Sequence, residues 1–145
     1  MGWTQIVTWL LFIAGWLLVN HQNNIREKRK EIRSILDKMQ SLLDEIEIQA
    51  VNYHTGQESS DLAFQLKRSL NQKLLDRLDI LKLRNIDVKK CYSLLIKFRQ
   101  AVTLKNFDTS SYKAQNLNDD LIKNIWLAKD RLSQEFEKSF ANRYP

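Results

Sequence analysis

The chain opens on an unbroken apolar stretch and then changes character. Trp3 to Val19 reads WTQIVTWLLFIAGWLLV, and residues 1–20 hold no Asp, Glu, Lys or Arg. Seventeen helical residues rise about 25 Å, near the short end of what crosses a hydrocarbon layer. Beyond this stretch apolar residues recur every seven positions: Ile25, Ile32, Met39, Ile46 and Tyr53. Ile35 and Leu42 take the next apolar position, with Leu36, Leu43 and Ala50 beside them. The stripe is wider than a two-stranded coiled-coil seam. Its register runs back through Leu18 and Leu11, so the pattern predicts one nearly continuous helix from Trp3 to Tyr53, roughly 75 Å long.

The clearest interruption is HTGQESS, His54 to Ser60, where Gly56 frees the backbone. Ser59 or Ser60 can cap the next helix, and Thr55 with Glu58 has the spacing of a capping box. A second helix is predicted over Asp61–Arg84, with Leu62, Leu66, Leu70, Leu74, Leu78 and Leu81 on one face. Asn85-Ile86-Asp87 reads as a turn, with Asp87 capping a third helix over Val88–Leu104. Val88, Cys91, Tyr92, Leu95, Phe98 and Val102 should face inward on it. After the polar loop Lys105–Asn116, Asn118 should open a last helix with Asp119 and Asp120 in its first turn. Its stripe is Leu121, Ile125, Ala128, Leu132, Phe136 and Phe140. The expected fold is all-α: residues 1–20 form a transmembrane anchor, and residues 21–145 form a cytosolic antiparallel bundle of about four helices.

The flanks of the apolar run set its expected orientation. Residues 21–33 carry Arg26, Lys28, Arg29, Lys30 and Arg33 against Glu27 and Glu31. Cationic flanks stay on the cytoplasmic side, which puts the N-terminus outside and the body in the cytoplasm of a cell with an inner membrane. Trp3 and Trp16 suit the two interfaces, where an indole buries its ring and keeps its N–H wet. A cleaved signal peptide fits poorly, because no basic residue precedes the apolar run and Ala14-Gly15-Trp16 is a poor cleavage site. Gly15 has Leu11 and Val19 four positions away, so no small-xxx-small dimer motif is present.

Charge then sorts along the body. Residues 34–61 hold one base and six acids, residues 62–106 eleven bases and three acids, and residues 107–145 six of each. In an antiparallel bundle the turn near Asn85 would approach the membrane. Lys82, Arg84, Lys89 and Lys90 would then meet anionic lipid headgroups, at about 1 kcal/mol for each cation near the surface. Lys67, Arg68 and Lys73 would face Asp44 or Glu47 as weak surface pairs. Asp44, Glu45, Glu47, Glu58 and Asp61 would collect at the far end. Together with Phe107 and Tyr112 of the polar loop, Glu45, Glu47, Glu58 and Asp61 form a candidate surface for a protein partner or a second copy.

Composition narrows the chemistry. The chain has 145 residues, three Gly, one Pro, one Cys and two His, and a net charge of +6. A single cysteine excludes an intramolecular disulfide, and the low glycine content argues against phosphate-binding loops. His54, Glu58 and Asp61 are close in sequence but read as a solvated loop rather than a metal site, and Cys91 reads as a structural thiol. No cofactor and no enzymatic activity are expected. Nucleic-acid binding is not expected either: the bases are diluted by core leucines, and Phe64, Tyr92 and Phe98 fall on predicted core faces.

The segment WLLVNHQNNIREKRKEIRSILD resembles the anchor and flank of many small bacterial inner-membrane proteins, over the first forty residues. The resemblance implies placement at a membrane and transfers no functional residue. Two functions are compatible with the pattern. One is a single-pass interaction or scaffold protein that holds a helical body at the inner membrane. The other is an oligomerising effector, of toxin or phage-defence type, that perturbs the bilayer.

Overall fold

A computed structural model of the chain describes residues 2–145 and is helical between its turns, with no strand among the described residues. Helix α1 spans Trp3–His54 without a break. Helix α2, Ser60–Arg68, runs through a π-helical segment, Ser69–Lys73, into α3, Leu74–Leu83. These three pieces form one rod, because Arg68, Ser69, Lys73 and Leu74 all keep right-handed helical dihedrals. Helix α4 covers Lys89–Thr103 and α5 covers Asp120–Arg143. The described residues thus form four helices, the first of them long and apolar at its start.

Packing divides the chain into two units, Met1–Ser34 and Ile35–Pro145. This division falls later than the boundary expected at position 20, and later than the first charged side chain, Arg26. Every described residue up to Glu31 is exposed, and burial begins at Ile32. Ile25, expected on the inward stripe, is therefore exposed. The second unit carries the core. Leu36, Met39, Leu43, Ile46 and Tyr53 of α1 are buried, as are Leu66, Leu70, Leu74, Leu78 and Leu81 of the α2–α3 rod. Cys91, Leu95, Phe98 and Val102 of α4 and Ile122, Ile125, Leu132 and Phe136 of α5 complete it.

The π segment has a cause that can be read in the leucines. Leu62, Leu66, Leu70, Leu74 and Leu78 are each four residues apart. In a regular α-helix every four-residue step overshoots one turn by about 40°, so the row would wind off the core face. Widening one turn absorbs the drift, and Leu66 through Leu81 stay buried. Phe64 and Tyr92 do not sit where the pattern put them. Phe64 is 67% exposed. Tyr92 is half-buried, and its hydroxyl donates to Asp79 Oδ1 at 2.7 Å.

The turns follow local chemistry. Ser59 accepts from Leu62 N at 3.1 Å and caps α2, while the Thr55 hydroxyl donates back to Val51 O. Asn85 ends α3 with φ 62°. Its N–H reaches Lys82 O, and Ile86 N–H reaches Leu81 O, which satisfies two end carbonyls. The Asp87 carboxylate accepts from Lys89 N at the start of α4. Asp119 rather than Asn118 takes the N-cap position of the last helix, and its carboxylate, instead of bonding the helix N–H groups, turns back to accept from Asn116 N at 2.8 Å.

Side-chain pairs give the helix directions inside the second unit. Gln40 donates to Ser133 O at 3.1 Å and accepts from the Ser133 hydroxyl at 2.6 Å. Lys129 Nζ meets Asp44 at 2.5 Å and Glu47 at 3.5 Å. Positions rising along α1 therefore pair with positions falling along α5. Arg99 donates to Asn71 and Tyr92 to Asp79, so α4 falls against the rod in the same way. The acids of α1 take their cation from α5. Lys67, expected to face them, pairs with Asp108 at 2.5 Å, because the loop after α4 lies nearer to it.

Candidate functional site

The side chains singled out by sequence occupy three distinct places. The first is the opening of α1. Trp3 and Trp16 are exposed, as is every apolar side chain between them. This is the one helix among those described that is long and apolar enough to cross a membrane, and no part of its apolar window is covered by protein. Arg26, Lys28, Arg29 and Lys30 follow on the same helix and are all exposed.

The second place is the turn between α3 and α4. Lys82, Arg84, Lys89 and Lys90 are exposed around it, beside Leu83. Cys91 Sγ lies 4.0 Å from Ser139 Oγ near the end of α5, and Gln40 meets Ser133 in the same half of α5. The basic turn thus belongs to the end of the second unit where α1 starts its packed stretch.

The third place is the opposite end. The predicted gathering of acids there is only partly found. Glu58 and Asp61 flank the turn after α1 and are exposed. Asp44, Glu45 and Glu47 lie two to three turns short of it along α1, level with Lys129, because a helix spreads ten residues over about 15 Å. Burial disfavours the charged Lys129 ammonium, but the Asp44 and Glu47 carboxylates outweigh it and raise its pKa.

Phe107 and Tyr112 are half-buried and turned into an aromatic cluster rather than presented as free rings. Tyr53 is its hub, with ring centres 4.9 Å from Phe107, 5.7 Å from Tyr112 and 5.2 Å from His54. The Tyr112 hydroxyl donates to Tyr53 O at 2.5 Å, and the Tyr53 hydroxyl accepts from Asp108 N at 2.9 Å. Asn106 and Asp108 hold φ of 55° and 49°, a left-handed backbone that Asn and Asp tolerate better than most side chains. The loop is thereby folded over the end of α1.

His54 is the residue whose role sequence reasoning missed. It is not in a solvated loop but fully buried as the last residue of α1. Nε2 lies 2.8 Å from Val102 O, so it carries the proton and donates. Nδ1 is left to accept from Asn106 Nδ2 at 3.4 Å. That amide cannot turn over, because Lys113 O accepts from its nitrogen at 2.8 Å and Lys113 N donates to its oxygen at 2.7 Å. With both ring nitrogens engaged, His54 has no lone pair left for a metal, and no metal-ligating cluster of His, Cys, Asp or Glu occurs among the described residues.

Burial holds the His54 imidazole below its ordinary pKa, against the bonds to Val102 and Asn106, which favour the charged ring. A depressed folded-state pKa means that the unfolded chain takes up the proton first as pH falls. Stability should be flat above about pH 6.5 and then decline towards the folded-state pKa, with a slope of at most about 1.4 kcal/mol per pH unit. Urea titrations at a series of pH values check this, and His54→Gln should flatten the decline.

No family model matches the chain, and neither a curated protein nor a solved structure matches it. The reading of its function therefore rests on its own residues.

Proposed function

We propose that the chain is a single-pass membrane protein that holds a cytoplasmic helical bundle at the inner face of a bacterial inner membrane, where the bundle binds a protein. The observation that carries this reading is the exposure of the whole apolar run Trp3–Val19. In water such a surface would be a large aggregation liability; in lipid it is at home. Two further observations support the finer points. The cations Arg26 to Lys30 favour an N-out, C-in orientation. The alternating pairings of α1 with α5 and of α4 with the α2–α3 rod support an up-down antiparallel bundle.

The basic turn Lys82–Lys90 is assigned to anionic headgroups, as a surface drawn to the bilayer by charge. A reporter active only outside the cytoplasm, fused at the C-terminus, should be silent, and the chain should resist alkaline extraction from membranes. Release by alkali, or an active external reporter, would refute the reading. Dye leakage from vesicles or cells on expression would favour the bilayer-perturbing alternative.

A further inference from the structure

Resting on the membrane-anchored reading, the geometry points to a specific binding partner, a second copy of the chain, seated through two unlike faces. We propose that the acidic outer face of α1 in one copy packs into the groove between α4 and α5 of the next.

The groove encloses a volume of about 760 Å³. Its floor is apolar: Leu94, Ala101, Leu104, Leu121, Leu127 and Ala128. Leu104 is 72% exposed and Leu127 48%, a large apolar area for a region with no partner in the chain. Its rim carries Lys97, Lys105 and Arg131, none of which meets a carboxylate within 4 Å among the described residues. The acids at one end, Asp119 and Asp120, stand at the start of α5, where carboxylates answer the helix dipole. Asp119 is also engaged by Asn116 N. The groove thus offers apolar contact and a net excess of positive charge, three cations against two carboxylates gathered at one end.

The complementary face is on α1. Ile48 is 60% exposed between Asp44 and Glu45 one turn earlier and the end of the helix. Asp44 keeps most of its carboxylate in solvent although it touches Lys129, and Glu45 meets only the neutral Gln49 amide. An apolar knob flanked by carboxylates matches a leucine-floored groove flanked by cations. Across the turn α2 adds exposed Asp61 and Phe64.

Symmetry selects between the ways two copies could meet. Groove against groove would oppose two linings of net positive charge, and α1 face against α1 face would oppose acids with acids. The favourable contact is the unlike one. Copies related by rotation about an axis along the helices of the second unit meet at equal levels. Asp44 and Glu47 touch Lys129, and Gln40 touches Ser133, which puts Glu45 and Ile48 level with Leu127 and Arg131. Unlike faces at one level generate rings or rows. Confinement to the membrane raises the effective concentration, so a modest face can suffice.

The test uses the full chain in native membranes. Two copies with different tags are expressed together, one carrying Ile48→Cys and the other Leu127→Cys, and treated with a short bismaleimide. Native Cys91 is buried and burial pushes its thiol up to about 11, so it stays unreactive. The mixed pair should crosslink at least tenfold more than either like pair. Lys97→Glu with Arg131→Glu should abolish the product, and Glu45→Arg in the other copy should restore it. A mixed pair no better than the like pairs, indifference to charge reversal, or capture of another protein by Leu127→Cys in place of a copy would each overturn the proposal. Alkaline extraction of the same membranes separates the failures. A chain that leaves the bilayer refutes the anchor, and one that stays without a mixed product refutes only the assembly.

Discussion

Replacing Tyr53 by Ala should destabilise the packed unit by about 3–5 kcal/mol, whereas Tyr53→Phe should cost about 1 kcal/mol. The ring is fully buried and touches Phe107, Tyr112 and His54, so truncation removes three ring contacts and opens a cavity. The hydroxyl makes a single bond, accepting from Asp108 N in a loop that is partly exposed. Water can replace that partner when the oxygen is lost. Urea unfolding of the full chain in detergent, followed by far-ultraviolet circular dichroism, would measure both variants. Comparable costs for Ala and Phe would show that the loop bond, not the ring, carries the site. Limited proteolysis should cut at Lys105 and Lys113 faster in Tyr53→Ala, because the loop loses the surface it folds over.

Leu11→Arg should drive the chain out of the membrane fraction at least a hundredfold. Leu11 is the midpoint of Trp3–Val19, where an Arg side chain reaches water at neither end without distortion. The Arg costs about 2.5–3.5 kcal/mol at a span centre, and the lost Leu adds about 0.5 kcal/mol. Leu127→Arg places the same charge on the surface of the packed unit and should leave fractionation unchanged. Retention of Leu11→Arg in alkali-washed membranes would show that something other than the span holds the chain there.

Much of the fold was legible because its signals are local. The seven-residue recurrence from Ile32 to Tyr53 marked the buried face of α1, and HTGQESS and Asn85-Ile86-Asp87 marked real turns. Ser59, one of the two serines expected to cap the second helix, does cap it, while the start of the last helix shifted by one residue, from Asn118 to Asp119, since adjacent side chains could serve. The π segment had a signal in the run of four-residue leucine steps, which a search for stripes alone overlooks.

What stayed hidden depends on distance in sequence. His54 looked like a loop residue, because Val102 and Asn106, which seal it, lie about fifty positions on. Lys67 sits near Asp44 and Glu47 in sequence, but Asp108 and Lys129 settle who pairs with whom. Ile25 shares the register of the core, yet register says nothing about where a neighbour begins. The groove between α4 and α5 could not be seen at all, because it is made by the contact of two stripes rather than by either one.

The uncovered stretch from Asn20 to Glu31 has a consequence of its own. It includes Asn20, Asn23 and Asn24, which are weak helix formers, and Arg26 stands one turn from Lys30, so two like charges repel. Every side chain there is exposed. A helix of twelve such residues would not survive as a free peptide, so its order is borrowed from the turns propagating in from both sides. Winding is therefore a shared property: melting the tightly packed half would let the coil spread backward, and under the proposed anchoring the bilayer would then hold the remainder by a slack tether.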